Sequence, residues 1–257
     1  MIIEPNTNNR RAESGPRTRI DSHVWRNLAA RFALPFAILV AIVIFSLLQP
    51  YFLTTRNIFN VIRVMSIDGM LAVGMTFVIL GKGIDLSVGS ITALSGAVAV
   101  LLIPVIGLPM AVLAALGTGV LVGLVNGTVI TTLSIQPFVA TLAMMVIVRG
   151  LNFFATGGYP IIAKSAGFEF IGNGYLGPVP IPVIVFVGIV ILSHVALNQT
   201  KFGPQIFSIG GNEEAALRFG VNTKFVTIAS YMICGLLAAV AGVTLSGRLA
   251  SASPLQA

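Results

Sequence analysis

Two short polar segments interrupt the apolar part of the chain, and their residue types and spacing raise the question of chemistry. The first is Gly81-Lys82-Gly83-Ile84-Asp85-Leu86-Ser87-Val88-Gly89-Ser90. A Gly-Lys pair raises the question of phosphate binding, because a P-loop cradles phosphate with backbone N–H groups and a lysine. That loop needs G-x-x-x-x-G-K-S/T. Here Gly81-Lys82 is followed by Gly83, and Gly74 lies too far upstream, so no nucleotide-binding loop is present. The spacing instead predicts a helix break. Two glycines end the preceding helix. Asp85 or Ser87 then offers a side-chain oxygen to the free N–H groups at the next helix start. The positive end of that helix favours Asp85 as an anion. On physical grounds alone, capping outweighs substrate contact.

The second segment runs from Phe202-Gly203 to Val221 and contains Gly210, Gly211, Asn212, Glu213, Glu214, Ala215, Ala216, Leu217, Arg218 and Gly220. Asn212 is a good helix N-cap, and the two glutamates fall in the first turn, where the macrodipole favours them. Ala215, Ala216 and Leu217 propagate a helix of about two turns. Gly220 can end it in a left-handed conformation. Such a helix is too short to be stable alone in water. It must dock, and the residues leave two partners open: the chain's own bundle, or another protein.

Other chemistry is sparse. The single cysteine, Cys234, excludes intramolecular disulfides and thiolate metal clusters. It lies in an apolar stretch and reads as a small buried hydrophobe. A lone His194 is not a metal site. The sequence carries no H-E-x-x-H, no G-x-S-x-G nucleophile elbow and no paired aspartates of a prenyl-transferring membrane enzyme. No catalytic residue, metal or cofactor is expected.

The elements that position these segments follow from composition. Of 257 residues, 56% are hydrophobic and 9% charged, against about 25% charged in a soluble domain. Mean hydropathy is +0.98. A water-soluble globule, a disordered chain and a secreted disulfide scaffold are excluded, because a soluble fold must cover itself with polar surface. The expected class is an all-α, polytopic transmembrane bundle.

Charge placement suggests its orientation. Six arginines (Arg10, Arg11, Arg17, Arg19, Arg26, Arg31) and three acids crowd the first 31 residues. A net charge of +7 could suggest nucleic acid. The arginines, however, precede an apolar stretch, with no basic or aromatic interleaving elsewhere. They read as a topology signal holding the N-terminus in the cytoplasm, so no nucleic acid partner is expected. Residues 1–31 form a basic segment and 32–257 the membrane domain.

Spans are expected near 32–48, 58–80, 87–105, 110–132, 137–155, 181–197 and 225–246, divided by Pro104, Gly107, Pro109, Pro137 and similar breakers. Alternation from a cytoplasmic N-terminus puts 81–86, 133–136 and 198–224 inside and the irregular loop 157–180 outside. Within span two, Asp68 has Arg63 or a helix break near Gly69 as candidate partners. Ala111, Ala115, Gly119, Gly123 and Gly127 recur every four residues, making one small-residue stripe. Contact inside the same bundle outweighs a dimer face as its purpose.

Five ordered blocks then carry a resemblance. They are Gly83-Ile84-Asp85-Leu86-Ser87-Val88-Gly89-Ser90; Gly123 to Gly127 with Gln136-Pro137-Phe138-Val139-Ala140-Thr141-Leu142; Arg149-Gly150-Leu151; Phe202-Gly203 through Gly220-Val221; and Arg248 to Pro254. Over roughly residues 35 to 257 the chain resembles the membrane permease subunit of bacterial ABC importers for monosaccharides, the ribose/galactose/xylose class. The resemblance implies a second permease copy, identical or paralogous, and a path through the inner membrane. It also implies a cytoplasmic ABC ATPase subunit and a periplasmic sugar-binding protein. Gly210 to Gly220 resembles the coupling helix that docks on the ATPase, which favours the partner reading.

Arg149 and Asn126 are the candidates for lining the path. Arg149 lies about twelve residues into its span, roughly 18 Å deep, where a charge must face the interior, a cavity or a partner. The alternatives for Arg149 are a structural ion pair or snorkelling to the edge.

The sequence departs from the family pattern at Lys82, where glycine is frequent, and at Arg63 and Asp68. The family chain also continues beyond the Ala252-x-Pro254 block. About seven of roughly ten spans are therefore expected here, as in a fragment, a truncated product or a shortened homologue. A stand-alone secondary carrier or channel is the alternative function. It would normally need ionisable groups at mid-membrane.

Overall fold

The computed structural model describes residues 22–254, with side chains from residue 32. The topology signal in the N-terminal arginines lies outside the described side chains. Two compact units divide the chain after Ile58.

In the first unit, helix α1 (Ser22–Leu48) contains Pro35 and an uncharged apolar run from Phe32 to Leu48. Its end is fixed locally. The Gln49 N–H donates to the Phe45 carbonyl, and the Phe45 and Phe52 rings stack at 5.8 Å. The Asn57 amide donates to the Phe52 carbonyl at 2.8 Å.

The second unit is built on α2 (Thr55–Leu80), α3 (Val88–Ile106), α4 (Leu108–Leu133), α5 (Pro137–Thr156), α7 (Ile181–Asn198) and α10 (Thr223–Leu249). Among the described residues these are the six helices long and apolar enough to cross a membrane. They match six of the seven expected spans to within a few residues; the first, 32–48, is a shorter apolar run within α1. Breakers set the ends. Gly107 joins α3 to α4 at φ +77°, and Pro137 opens α5 after a left-handed Ser134.

The small-residue stripe is consumed inside this unit. Ala111 and Ala115 are fully buried. A Cβ on Gly119 would meet the Gly235 carbonyl, and one on Gly123 the Tyr231 carbonyl, so α4 and α10 touch backbone to backbone. Close approach replaces the hydrophobic drive that lipid does not supply. Helix α3 closes against the same pair, with the Thr92 hydroxyl donating to the Ala238 carbonyl at 3.2 Å.

Three expectations need correction. The loop 157–180 is ordered rather than irregular. It contains β1 (Ile161–Ile162), the helix α6 (Ala166–Asn173) and a hairpin of β2 (Tyr175–Leu176) with β3 (Val179–Pro180). Strand β1 pairs antiparallel with β4 (Ser251–Ala252), and Gly172 lets α6 sit on the Arg248 backbone.

Arg63 does not pair with Asp68, and α2 runs unbroken through Gly69. Five residues place the two side chains about 140° apart around the helix. The Arg63 guanidinium lies over the Tyr175 ring instead, 5.1 Å from its centroid.

The polar segment holds two helices, α8 (Phe202–Gly211) and α9 (Glu213–Arg218), where one was expected. Phe202, Ile206 and Ile209 recur at helical spacing and pack with Phe77, Ala216 and Val226.

Candidate functional site

The break between α2 and α3 is built by its glycines. The Gly81 and Gly83 N–H groups both donate to the Val78 carbonyl, ending α2. A Cβ on Gly83 would lie 2.6 Å from the Tyr231 hydroxyl, so the chain must pass α10 with no side chain there. Lys82 adopts φ +60°. That left-handed conformation costs an L side chain on the order of 1 kcal/mol.

From there the chain turns inward. The Ile84 carbonyl accepts from the Tyr231 hydroxyl of α10 and the Thr141 hydroxyl of α5, each at 3.3 Å. Asp85 is fully buried. Its Oδ1 accepts from the Ser87 N–H at 2.9 Å and the Ser87 hydroxyl at 2.6 Å. The Asn126 amide of α4 donates to Ser87 Oγ at 2.9 Å. Asp85 Oδ2 and Asn126 Oδ1 stay buried with no hydrogen-bond partner among the described residues.

Asn126 sits about two turns inside the end of α4, and Tyr231 a similar distance inside the start of α10, on the order of 10 Å. The motif therefore does not remain near the surface, as the loop assignment implied for Asp85. It dips into the bundle and starts α3 there. Ser87 precedes α3 without capping it through its side chain. The Asp85 carboxylate takes the Ser87 N–H, which lies before the helix, so neither side chain caps the free N–H groups of α3 and the expected capping role is not observed. Ser90, also buried, donates to the Met145 carbonyl of α5 at 3.0 Å. Leu86 is partly buried, and Gly89 lines a small cleft with Asp68 and Arg248. Three helices, α4, α5 and α10, thus hold one seven-residue break. Asn126 belongs to this knot and is 1% exposed.

The second segment lies against the same break. Gly210 packs on the Leu80 carbonyl, where a Cβ would collide. The Gly211 carbonyl, at the end of α8, accepts from Lys82 Nζ at 3.1 Å. Asn212 breaks the path and caps α9, its Oδ1 accepting from the Ala215 N–H at 3.0 Å. Glu213 and Glu214 fall in the first turn as expected, and Arg218 pairs with Glu214 at 3.3 Å on the surface. Gly220, at φ +81°, reverses the chain, and the Val221 N–H returns to the Ala216 carbonyl.

Helix α9 buries Ala216 and leaves Leu217 and Phe219 exposed, Phe219 by 89%. It is anchored by one residue and presents two large apolar side chains outward. A cleft of about 730 Å³ opens between it and the break, lined by Lys82, Gln136, Glu213, Leu217, Lys224 and Tyr231.

Arg149 is not part of this assembly. It stands on an exposed face of α5 with Leu142, Val146 and Phe153, without a partner among the described residues. Among those residues no three His, Cys, Asp or Glu side chains converge as metal ligands would.

Sequence reasoning passed over three anchors: Tyr231, Thr141 and the Lys82 ammonium. Tyr231 had a usable signal, since a phenol inside an apolar span needs a polar partner for its hydroxyl.

A family model described as "Branched-chain amino acid transport system / permease component" matches residues 57–257. The chain belongs to this permease family.

Among the permease's relatives, the ribose import permease protein of Bacillus subtilis is 42% identical over 224 residues, covering 86% of this chain and 70% of that protein. The ribose import permease protein of Escherichia coli K12 is 40% identical over 223 residues, covering 85% and 70%. The galactofuranose transporter permease protein of the same strain is 37% identical over 225 residues, covering 84% and 66%. No solved structure matches. The permease is a multi-pass protein of the inner membrane, and its role is transport rather than catalysis.

Proposed function

We propose that this permease is the membrane subunit of an ATP-driven importer for a monosaccharide of the ribose/galactose/xylose kind. A cytoplasmic ATPase docks on Gly210–Gly220, a periplasmic sugar-binding protein delivers the sugar, and a second permease copy completes the path. The names of the relatives support the substrate class. The observation that carries the docking surface is α9 itself. It is capped by Asn212, held down by Ala216 and otherwise turned outward with Glu213, Glu214, Leu217 and Phe219. Six residues do not hold a helix in water, and an exposed apolar pair rimmed by charge is typical of a protein contact.

In this reading residues 1–31 and 198–224 are cytoplasmic and 157–180 periplasmic, following the positive-inside bias. The Arg149 face of α5 turns to the path or to the second copy, because a guanidinium at that depth is costly against lipid. Replacing Glu213 and Glu214 together by arginine tests the docking assignment. Uptake is expected to vanish while the permease remains in the membrane; unchanged uptake overturns it.

A second reading, a secondary carrier, is favoured by one observation. Asp85 is a fully buried carboxyl inside the bundle, the type of group that ion coupling uses. Against it, the Asp85 Oδ1 is already committed to Ser87, and the position serves a helix break.

A further inference from the structure

We propose that Lys82 is a positioning residue that ties the coupling segment to the buried break, so that displacement of α8 and α9 is passed to Asp85 and Asn126. This rests on the functional reading above.

The tie has two independent supports. The first is placement. The Lys82 ammonium donates to the Gly211 carbonyl, the last residue of α8 and the junction with α9. A cation at that carbonyl also complements the negative end of the helix dipole. The second is backbone. Lys82 sits at φ +60°, where glycine would be at ease, so what the lysine adds there is its ammonium.

On the far side of Lys82 the chain has no slack. Gly83 is wedged against Tyr231 and Val78, the Ile84 carbonyl is held by Tyr231 and Thr141, and Asp85 is held by Ser87. A pull on Gly211 is therefore carried through one side chain into a segment anchored to α4, α5 and α10. The contact of Gly210 with the Leu80 carbonyl keeps the end of α8 against the same turn, so the two segments move together.

The test uses the permease assembled with its ATPase and binding protein in proteoliposomes. The readouts are assembly, basal ATP hydrolysis and its stimulation by sugar-loaded binding protein. Lys82→Met is expected to assemble normally and to hydrolyse ATP at the basal rate. Its stimulation should fall about fivefold or more, the low end of an allosteric coupling effect. Lys82→Arg, which keeps a donor, should restore it. Lys82→Gly relieves the backbone and folds readily, yet should lose stimulation like Lys82→Met, which separates the tie from a folding defect. Wild-type stimulation in both Lys82→Met and Lys82→Gly overturns the tie while leaving the functional reading standing. A wild-type permease that binds no ATPase overturns that reading, and the tie with it.

Discussion

The Asn126 amide nitrogen donates to the Ser87 hydroxyl at 2.9 Å, joining α4, about two turns from its end, to the start of α3. The same hydroxyl donates onward to Asp85 Oδ1 at 2.6 Å. Three polar side chains, two from the break and one from α4, thus bond to one another in a bundle built from apolar helices. In such surroundings an unmade hydrogen bond is costly. The relay gives a physical reason for a carboxylate, a hydroxyl and an amide at these positions.

Removing one member should therefore cost more than its own bond. Asn126→Leu leaves Ser87 without its donor and the knot without its bridge to α4. The expected loss is about 1–3 kcal/mol, read as a lower unfolding midpoint in detergent micelles. Ser87→Ala should cost at least as much, since it strips a donor from Asp85 and the acceptor from Asn126. Midpoints equal to wild type in both variants would remove the knot from the stability account.

The α4–α10 contact separates two glycines of the same helix. Gly123→Val drives a side chain into the Tyr231 carbonyl, whereas a Cβ added to Gly117 would meet nothing within 4 Å. Gly123→Val should destabilise by about 1–3 kcal/mol or prevent assembly. Gly117→Ala should be neutral or stabilising by about 0.5–1 kcal/mol. Thermal unfolding of the two variants side by side reads the difference, and equal behaviour contradicts the packing described.

Much of this was legible in the sequence, and the misses have physical causes. Breakers at Gly107 and Pro137 divided a long uncharged run into helices, whereas Pro104 stands inside α3, and the four-residue recurrence from Ala111 to Gly127 fell on one helix face. Asn212 capped the helix it was expected to cap. Helix α8 was hidden because Gly203, Pro204, Gly210 and Gly211 read as loop, although Pro204 fits a first turn and Phe202, Ile206 and Ile209 mark a buried face. The depth of Asp85 was hidden because linear distance says nothing of insertion. A signal existed in length: α3 has 19 residues beside the 26 of α2 and of α4, so one of its ends is recessed. The Ser87–Asn126 contact joins residues 39 positions apart, which no local pattern reports.

The cap of α9 gives a dynamic prediction. Asn212→Ala should remove about 1 kcal/mol from a six-residue helix, and amide protection over 213–218 should fall in hydrogen exchange. Arg218→Ala should leave protection nearly unchanged, because an exposed pair four residues apart contributes about 0.3–0.5 kcal/mol. A larger effect from Arg218→Ala than from Asn212→Ala would contradict this ranking.

Arg149 has no partner within the described residues, so its effect should appear in transport and not in folding. Arg149→Gln is expected to keep the unfolding midpoint and membrane assembly while lowering sugar uptake. Normal uptake with intact assembly removes Arg149 from the path.

The most direct test of the central claim is the energy source for transport. Proteoliposomes holding the permease with its ATPase and binding protein are loaded against labelled ribose, with and without ATP. The account predicts accumulation that requires ATP and is lost in the Glu213→Arg, Glu214→Arg double variant. Accumulation driven by a proton or sodium gradient, with no ATPase present, would contradict it and establish the carrier reading instead.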